Sequence, residues 1–322
     1  MNVKAQKTVT IVAPFLNEEA ILAELIERLS TISQDIPEAV EVVLVDDGSS
    51  DKSVEVATKC LKHAEIDCWK VVRLARNFGQ QQAYLAGLHH ATGDAVVFLD
   101  ADLQDPPETI PNFIEAWREG HEVVVGVRLS RTETGWRRRA FDLFHFLFYR
   151  CTGGVMPRNS GNFGLMDRVV ADRLRAMGET NLFLPALRAW AAAPPAEVGY
   201  HRDARRHGEA RQNWRRLFNL AWDGITSFSN VPLRMIGWLG FFIAMPSLFY
   251  AAFLVSQRAL QVAFGWFPDL EVLGFTTVAV AILALGGIQL ICLGVIGEYI
   301  GRIYLESKGR ASFYVASLIQ SD

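Results

Sequence analysis

The residues of this chain best suited to chemistry lie in three acidic stretches, each directly after a short apolar run. Asp100-Ala101-Asp102-Leu103-Gln104-Asp105 follows Ala95-Val96-Val97-Phe98-Leu99, and Asp100, Asp102 and Gln104 offer oxygen donors. Such a set suits a hard divalent ion, Mg2+ or Mn2+, bridging to substrate phosphates. Two aspartates in a loop are also common turn formers; here the preceding strand and two companion loops give the pattern its weight. Asp46-Asp47-Gly48-Ser49-Ser50-Asp51 follows Val42-Val43-Leu44-Val45, and Pro14-Phe15-Leu16-Asn17-Glu18-Glu19 follows Val9-Thr10-Ile11-Val12. Converging on one sheet edge, the three loops point to metal–nucleotide chemistry, with Asp102 as a ligand of the ion.

Positioning these loops requires strands alternating with helices. Helix-period segments run from about Ala20 to Ile32, from just after Ser50-Asp51, from about Gln80 to Ala91 and near Ile110 to Glu119. Short β-branched runs separate them, including Val71-Val72, and Val123-Val124-Val125 closes the series. Strands apolar on both faces, alternating with helices, predict an α/β fold with a mostly parallel sheet. Ligands in such folds bind at the carboxyl ends of the strands. No Gly-x-Gly-x-x-Gly follows the first strand and no Gly-x-x-x-x-Gly-Lys loop occurs, which argues against a dinucleotide fold and an ATPase.

The last third of the chain is different. Met235 to Gln257 and Val272 to Gly297 carry no charged residue. Each is long enough to cross a hydrocarbon core about 30 Å thick at about 1.5 Å per residue. They raise the hydrophobic fraction of the 322 residues to 50% and mean hydropathy to +0.15. Basic residues crowd before the first run (Arg202, Arg205, Arg206, Arg211, Arg215, Arg216) and after the second (Arg302, Lys308, Arg310), while the connector holds Arg258 against Asp269 and Glu271. The positive-inside rule then predicts a multi-pass protein of the inner (plasma) membrane with both termini cytoplasmic. Between about Arg211 and Val231, an apolar face with Trp214, Phe218 and Trp222 beside Arg215 and Arg216 suits a helix lying in the interface, a core helix being the alternative. A net charge of −3 does not suggest a nucleic-acid binder. The four cysteines show no metal or disulfide spacing. The expected divisions are a catalytic domain over 1–210, interfacial helices over 211–232, two membrane helices within 233–305 and a cytoplasmic tail over 306–322.

On these motifs the N-terminal part resembles a family 2 glycosyltransferase with a GT-A, Rossmann-like fold. The chain as a whole is similar to polyprenyl-phosphate glycosyltransferases, the group of bactoprenol glucosyltransferase and dolichol-phosphate mannose synthase. Further residues that carry the resemblance are Arg76-Asn77-Phe78-Gly79-Gln80, Asp105-Pro106-Pro107-Glu108, Val125-Gly126-Val127-Arg128, Asp223-Gly224-Ile225-Thr226-Ser227-Phe228-Ser229, Pro232-Leu233-Arg234 and Gly297-Glu298-Tyr299-Ile300-Gly301-Arg302. The resemblance implies that Pro14, Asn17, Glu18, Asp46, Asp47, Gly79 and Gln80 line the nucleotide-sugar pocket, with Asp46 reading the base. It implies that Asp100 faces ribose or sugar while Asp102 and Gln104 hold Mg2+ or Mn2+. Arg128 would meet the acceptor phosphate, helped by an arginine among Arg131, Arg138 and Arg139; a solvated helix face is the plainer account of that cluster. Relatives form homo-oligomers, and Gly297-x-x-x-Gly301 permits close helix packing, so a dimer or tetramer is expected.

Two departures stand out. Relatives carry Gly-Asp-Phe-Arg-Leu where this chain has Gly161-Asn162-Phe163-Gly164-Leu165, and Gly-Glu-Ser-Lys where it has Gly208-Glu209-Ala210-Arg211. A polyprenyl monophosphate, with a second pKa of about 6, is already an anion near neutral pH and needs positioning rather than a general base. Asn162 can still hydrogen-bond a phosphate or sugar hydroxyl. The expectation is an inverting hexosyltransferase using a nucleotide sugar, UDP-linked by preference. GDP-mannose or an amino-sugar donor, and a silent nucleotide-sugar-binding membrane partner, are the alternatives. A processive synthase would need a Gln-x-x-Arg-Trp motif, which is absent.

Overall fold

The computed structural model describes residues 7–129, 160–178, 183–202, 231–264 and 275–321. Two compact units emerge, Met1–Gly224 with Gly309–Asp322, and Ile225–Lys308. The strands of the first unit are β1 (Thr8–Phe15), β2 (Ala39–Asp46), β3 (Cys68–Leu74), β4 (Ala95–Phe98), β5 (Val123–Arg128), β6 (Ser160–Asp167), β7 (Ala196–Tyr200) and β8 (Val315–Gln320). Helices α1 (Leu22–Asp35), α2 (Ser53–Leu61), α3 (Gln80–His90) and α4 (Ile110–Arg118) follow β1 to β4; α5 (Arg168–Ala176) and α6 (Leu184–Trp190) follow β6.

The eight strands form one sheet in the order β7-β5-β6-β4-β1-β2-β3-β8. β1 runs parallel to β2 and β4, β2 to β3, and β5 to β7; the pairings of β6 with β4 and β5 and of β8 with β3 are antiparallel. The central strands are apolar on both faces because helices cover both, and Val9, Ile11, Val42, Leu44, Val71 and Val97 are fully buried. α1 buries Leu22, Leu25, Ile26, Leu29 and Ile32, and α4 buries Ile110, Phe113, Ile114 and Trp117. Both sets follow the three-four spacing of a helix with one apolar face.

The chain moves outward from β1 to β2 and β3, then returns to the other side of β1 with β4. That reversal separates the loops after β1 and β4 and opens a crevice at the carboxyl ends. Register brings further residues to the same edge. Phe98 pairs with Gly164 in the antiparallel strand β6, so Asn162 lies two positions beyond, alongside Asp100. Arg128 pairs with Tyr200 at the ends of β5 and β7.

The strand series does not close at Val123–Val125. β6 reads poorly as a strand because Ser160-Gly161-Asn162 and Gly164 break its apolar run, and β7 is short and half exposed. β8 lies within the segment expected to be a tail, and it pairs from Val315 to Gln320 with Leu74 to Lys70 of β3. Its side chains are mostly exposed, so neither burial nor alternation marks it in the sequence.

In the second unit, α7 (Val231–Phe264) and α8 (Phe275–Ser307) are each one continuous helix, α7 with Pro246 inside it. The apolar run 235–257 falls within α7, and 272–297 falls within α8 from residue 275 onward. Among the described residues, Leu285–Ser307 is long and apolar enough to cross a membrane, and Leu233–Pro246 is a shorter apolar stretch. The longer stretch extends past the expected end, where Glu298 and Arg302 pair at 2.8 Å one turn apart. The expected interfacial helix lies outside the described residues except for Val231 and Pro232, which open α7. Arg131, Arg138 and Arg139 also lie outside them.

Candidate active site

The first two acidic loops are laced to each other. Asn17, in the left-handed region at φ 55°, donates its N–H to Ser49 Oγ at 2.9 Å, and its Oδ1 accepts from the Ser50 N–H at 2.9 Å. The Glu18 N–H donates to Ser53 Oγ at 2.9 Å, and the Asp47 N–H to the Phe15 carbonyl at 3.0 Å. Asn17 thus shapes the loop with its side chain, and Pro14 is a buried strand residue opposite Val45. Gly48, at φ +81°, lies so close to Arg76 and Asn77 that a Cβ would come within 2.7 Å of their backbone atoms. Only glycine fits there.

Asp46 and Asp47 have different tasks. Asp47 accepts from the N–H groups of Phe78 at 2.7 Å and Gly79 at 3.0 Å, which holds the turn that opens α3. Burial pushes its carboxyl above the ordinary range against those hydrogen bonds. Asp46 is fully buried, and its Oδ1 accepts from the Ser49 N–H at 2.8 Å. Its Oδ2 lies 3.3 Å from Arg73 Nε but without hydrogen-bond geometry, so it has no hydrogen-bond partner among the described residues. A buried acceptor of this kind is costly unless a ligand satisfies it.

Asp100 Oδ1 accepts from Gln80 Nε2 at 2.7 Å and from the Tyr84 hydroxyl at 2.5 Å. Burial raises its carboxyl most; the Tyr84 hydrogen bond opposes this, Asp105 and Asp102 add to it, and the result is about 6. Asp102 Oδ1 accepts from the Gln104 N–H at 3.1 Å across Leu103, itself left-handed at φ 55°. The donor set fits a hard cation, which would relieve the crowding of Asp100, Asp102 and Asp105. Among the described residues no three His, Cys, Asp or Glu side chains form a ready cage for one. Gln104, water and phosphate oxygens would complete the shell.

Beside this cluster lies a second one that sequence reasoning did not assign. Asp105, 1% exposed, accepts from the Tyr200 hydroxyl at 2.7 Å. Arg202 Nε lies 3.2 Å from its Oδ1 and Arg128 Nη2 3.8 Å from its Oδ2. Arg128 Nε donates to the Tyr200 hydroxyl at 3.1 Å. Burial alone would lower the Arg128 pKa, but Asp105 and Tyr200 outweigh it and hold it above the usual value. Asp105 therefore holds two arginines at the sheet edge. The signal available in the sequence was the Tyr200-His201-Arg202 run, which reads there as part of a basic approach to the membrane.

Asn162 completes the edge. Its Oδ1 accepts from Gln81 Nε2 at 3.3 Å, and Gln81 Oε1 accepts from the Leu184 N–H at 2.9 Å. A Cβ on the neighbouring Gly161 would lie 3.3 Å from Arg128 Nη2. One edge thus joins a buried unsatisfied acceptor, a carboxylate cluster and two arginines gathered by Asp105.

A mostly parallel α/β sheet with an acidic cluster at its switch point places that cluster where such sheets bind ligands. Residues 10–175 match glycosyl transferase family 2 and residues 231–303 match the GtrB C-terminal hairpin. The chain is 39% identical over 311 residues to an uncharacterized glycosyltransferase of Synechocystis, covering 96% of this chain and 95% of that one. It is 37% identical over 312 residues to a bactoprenol glucosyl transferase of Shigella phage SfX, covering 96% and 99%. It is similar to the crystal structure of glucosyl-3-phosphoglycerate synthase from Mycobacterium tuberculosis with Mn2+, UDP-glucose and phosphoglyceric acid. That likeness has a TM-score of 0.48 and 21% identity and covers 69% and 79% of the two chains. The chain belongs to glycosyl transferase family 2.

Proposed function

We propose that the protein transfers a monosaccharide from a nucleotide sugar, UDP-linked, to a polyprenyl phosphate such as undecaprenyl phosphate at the cytoplasmic face of the inner membrane. The observation that carries this reading is the pairing of two unlike clusters on one edge. Asp100, Asp102 and Gln104 suit a metal-bound diphosphate, and Arg128 and Arg202, gathered by Asp105, suit an anionic acceptor. The acceptor phosphate oxygen forms a bond to the anomeric carbon as the bond to the diphosphate breaks, with inversion, and the nucleoside diphosphate leaves. The acceptor arrives ionised, so no side chain has to remove a proton.

The unsatisfied Oδ2 of Asp46 suits an N–H of the base. Asp47, through the Phe78–Gly79 turn, and Gln80, through Asp100, shape the pocket. Asp102 and Gln104 would hold Mg2+ or Mn2+, which when bound offsets charge developing on the departing diphosphate. Asn162 hydrogen-bonds the acceptor or sugar and is not a base, so a carboxylate at that position is not required for turnover. Activity present in an Asn162→Asp variant and missing from the wild-type chain would refute that assignment.

The lipid acceptor fits the second unit, whose large apolar side chains are exposed: Phe242 at 67%, Phe249 at 70% and Leu290 at 71%. Apolar surface on this scale needs lipid or a partner. We read α7 and α8 as a pair of spans; the return of the chain to the sheet, where β8 pairs with β3, supports that reading, and the glycines of the two helices permit a homo-oligomer.

The test is a donor screen on detergent-purified protein with undecaprenyl phosphate and Mg2+ or Mn2+. UDP-glucose, UDP-N-acetylhexosamines and GDP-mannose are offered separately and lipid-linked product is read by mass. A hexosyl lipid from one donor is expected. Nucleotide-sugar binding without lipid product from any donor would replace the enzyme by the silent binding partner that the change at Asn162 suggests.

A further inference from the structure

We propose that Arg188 is a positioning residue for the transfer reaction. Delivered from α6, its guanidinium fixes the Gly161–Asn162 backbone and thereby the Asn162 side chain, in space that Gly164 leaves open. The inference rests on the reading above, in which Asn162 faces the reacting groups.

Arg188 is 1% exposed and is among the largest wholly buried side chains of the described residues. Its Nη1 donates to the Asn162 carbonyl at 3.0 Å and its Nη2 to the Gly161 carbonyl at 3.1 Å. Neither acceptor is a carboxylate, and Nε has no hydrogen-bond partner among the described residues. Burial lowers the Arg188 pKa to about 10, with Tyr84 opposing, so the side chain still carries its charge at neutral pH. A cation buried against two neutral carbonyls is costly. Joining a helix to a strand does not require it, because apolar packing would serve.

The charge has a use in what surrounds it. Tyr84, a neutral neighbour of Arg188, donates its hydroxyl hydrogen to Asp100. Arg128 approaches the same Gly161. Donor diphosphate and acceptor phosphate are both anions, and a fixed cation behind the strand in a low-dielectric interior favours their joint presence. α6 also holds Asn162 from a second direction, since the Leu184 N–H orients Gln81, which donates to Asn162 Oδ1. With Oδ1 engaged, the NH2 of Asn162 is the end left for an anionic ligand. Gly164 is the matching half of the device: a Cβ there would lie 2.9 Å from Arg188 Nη1 and 2.4 Å from the Val124 carbonyl.

The test uses full-length protein in detergent, with Arg188→Met, Arg188→Lys and Asn162→Ala, and with Arg188→Met and Asn162→Ala combined. Turnover, KM for each substrate and Tm are measured for all. Arg188→Met is expected to lower kcat by about thirtyfold with donor KM within about twofold, and Arg188→Lys to recover part of the loss. The double variant should be no slower than its slower parent, because both changes remove one function. Losses that multiply, or a normal kcat per folded molecule in Arg188→Met, would overturn the proposal.

Hydrogen exchange provides a readout independent of activity. Amides of 160–163 should exchange faster in Arg188→Lys, with those of β1 and β2 unchanged. Unchanged exchange at 160–163 overturns the positioning role even in a protein with no turnover. Absence of wild-type turnover, by contrast, counts against the enzyme reading alone.

Discussion

Replacing Asp100 with asparagine should make the protein more stable and less active together. Burial, with Asp105 and Asp102 nearby, holds the Asp100 carboxyl at about 6 in the folded chain, against about 3.9 when unfolded. Between those values the folded state keeps a proton that the unfolded state has lost. Stability therefore falls as pH rises from about 4 to about 6, and the whole penalty is present above that. At 1.36 kcal/mol per pH unit the penalty is about 3 kcal/mol. Asparagine cannot ionise, and its carbonyl can accept from Gln80 and Tyr84 as the carboxylate does. Asp100→Asn should thus be about 3 kcal/mol more stable at pH 7.5 and unchanged at pH 4. For a unit of this size that is a rise in Tm of about 6–12 °C. The assay is thermal unfolding in detergent with chelator present at both pH values, with turnover measured beside it. A variant less stable than wild type at pH 7.5, or a gap that does not change with pH, would show that Asp100 is not a strained carboxylate.

Asp102→Ala should abolish metal-dependent turnover and leave membrane insertion intact, checked by activity across a Mg2+ and Mn2+ titration; full activity with chelator present would remove Asp102 from the metal site. Gly48→Ala forces a Cβ to 2.7 Å from the Arg76 and Asn77 backbone at a left-handed φ, and should cost about 1–3 kcal/mol in denaturant unfolding. An unchanged midpoint would mean that the Arg76–Asn77 segment yields freely. A stop after Lys308 removes β8 and with it the hydrogen bond from the Ala75 N–H to the Tyr314 carbonyl at 2.9 Å and the Phe78–Tyr314 ring contact. Donor affinity, measured by nucleotide titration, should fall, because the loop behind Asp47 loses its support; unaltered affinity would show that the loop stands alone.

Much of the fold is legible in the sequence because the central strands are buried on both faces and say so. Val9 to Val12, Val42 to Val45 and Ala95 to Leu99 are nearly uninterrupted apolar runs, and α1 and α4 repeat at helical spacing. The acidic loops could be found because they directly follow those runs. Less legible was what each acidic side chain does. Asp46 and Asp47 are neighbours of one type, yet one keeps a buried oxygen unsatisfied and the other accepts from the Phe78–Gly79 turn, a contact some thirty residues away. Asp105 sits in a recognisable motif, but its task depends on Tyr200 and Arg202, brought to it by the β5–β7 pairing. Arg188 carries no sequence signal, since an arginine in a short helix is ordinarily an exposed one.

The return of the chain to its first unit has a consequence for synthesis. β3 can pair with β8 only after α7 and α8 have been made, since Val315 lies beyond Ser307 in the chain. During translation, the edge of β3 from Cys68 to Leu74 therefore waits open while more than half of the chain is still to come. An open strand edge is a template for association with other chains. That edge stays uncovered until Val315–Gln320 has been made, and a fragment ending before α7 would carry it open permanently.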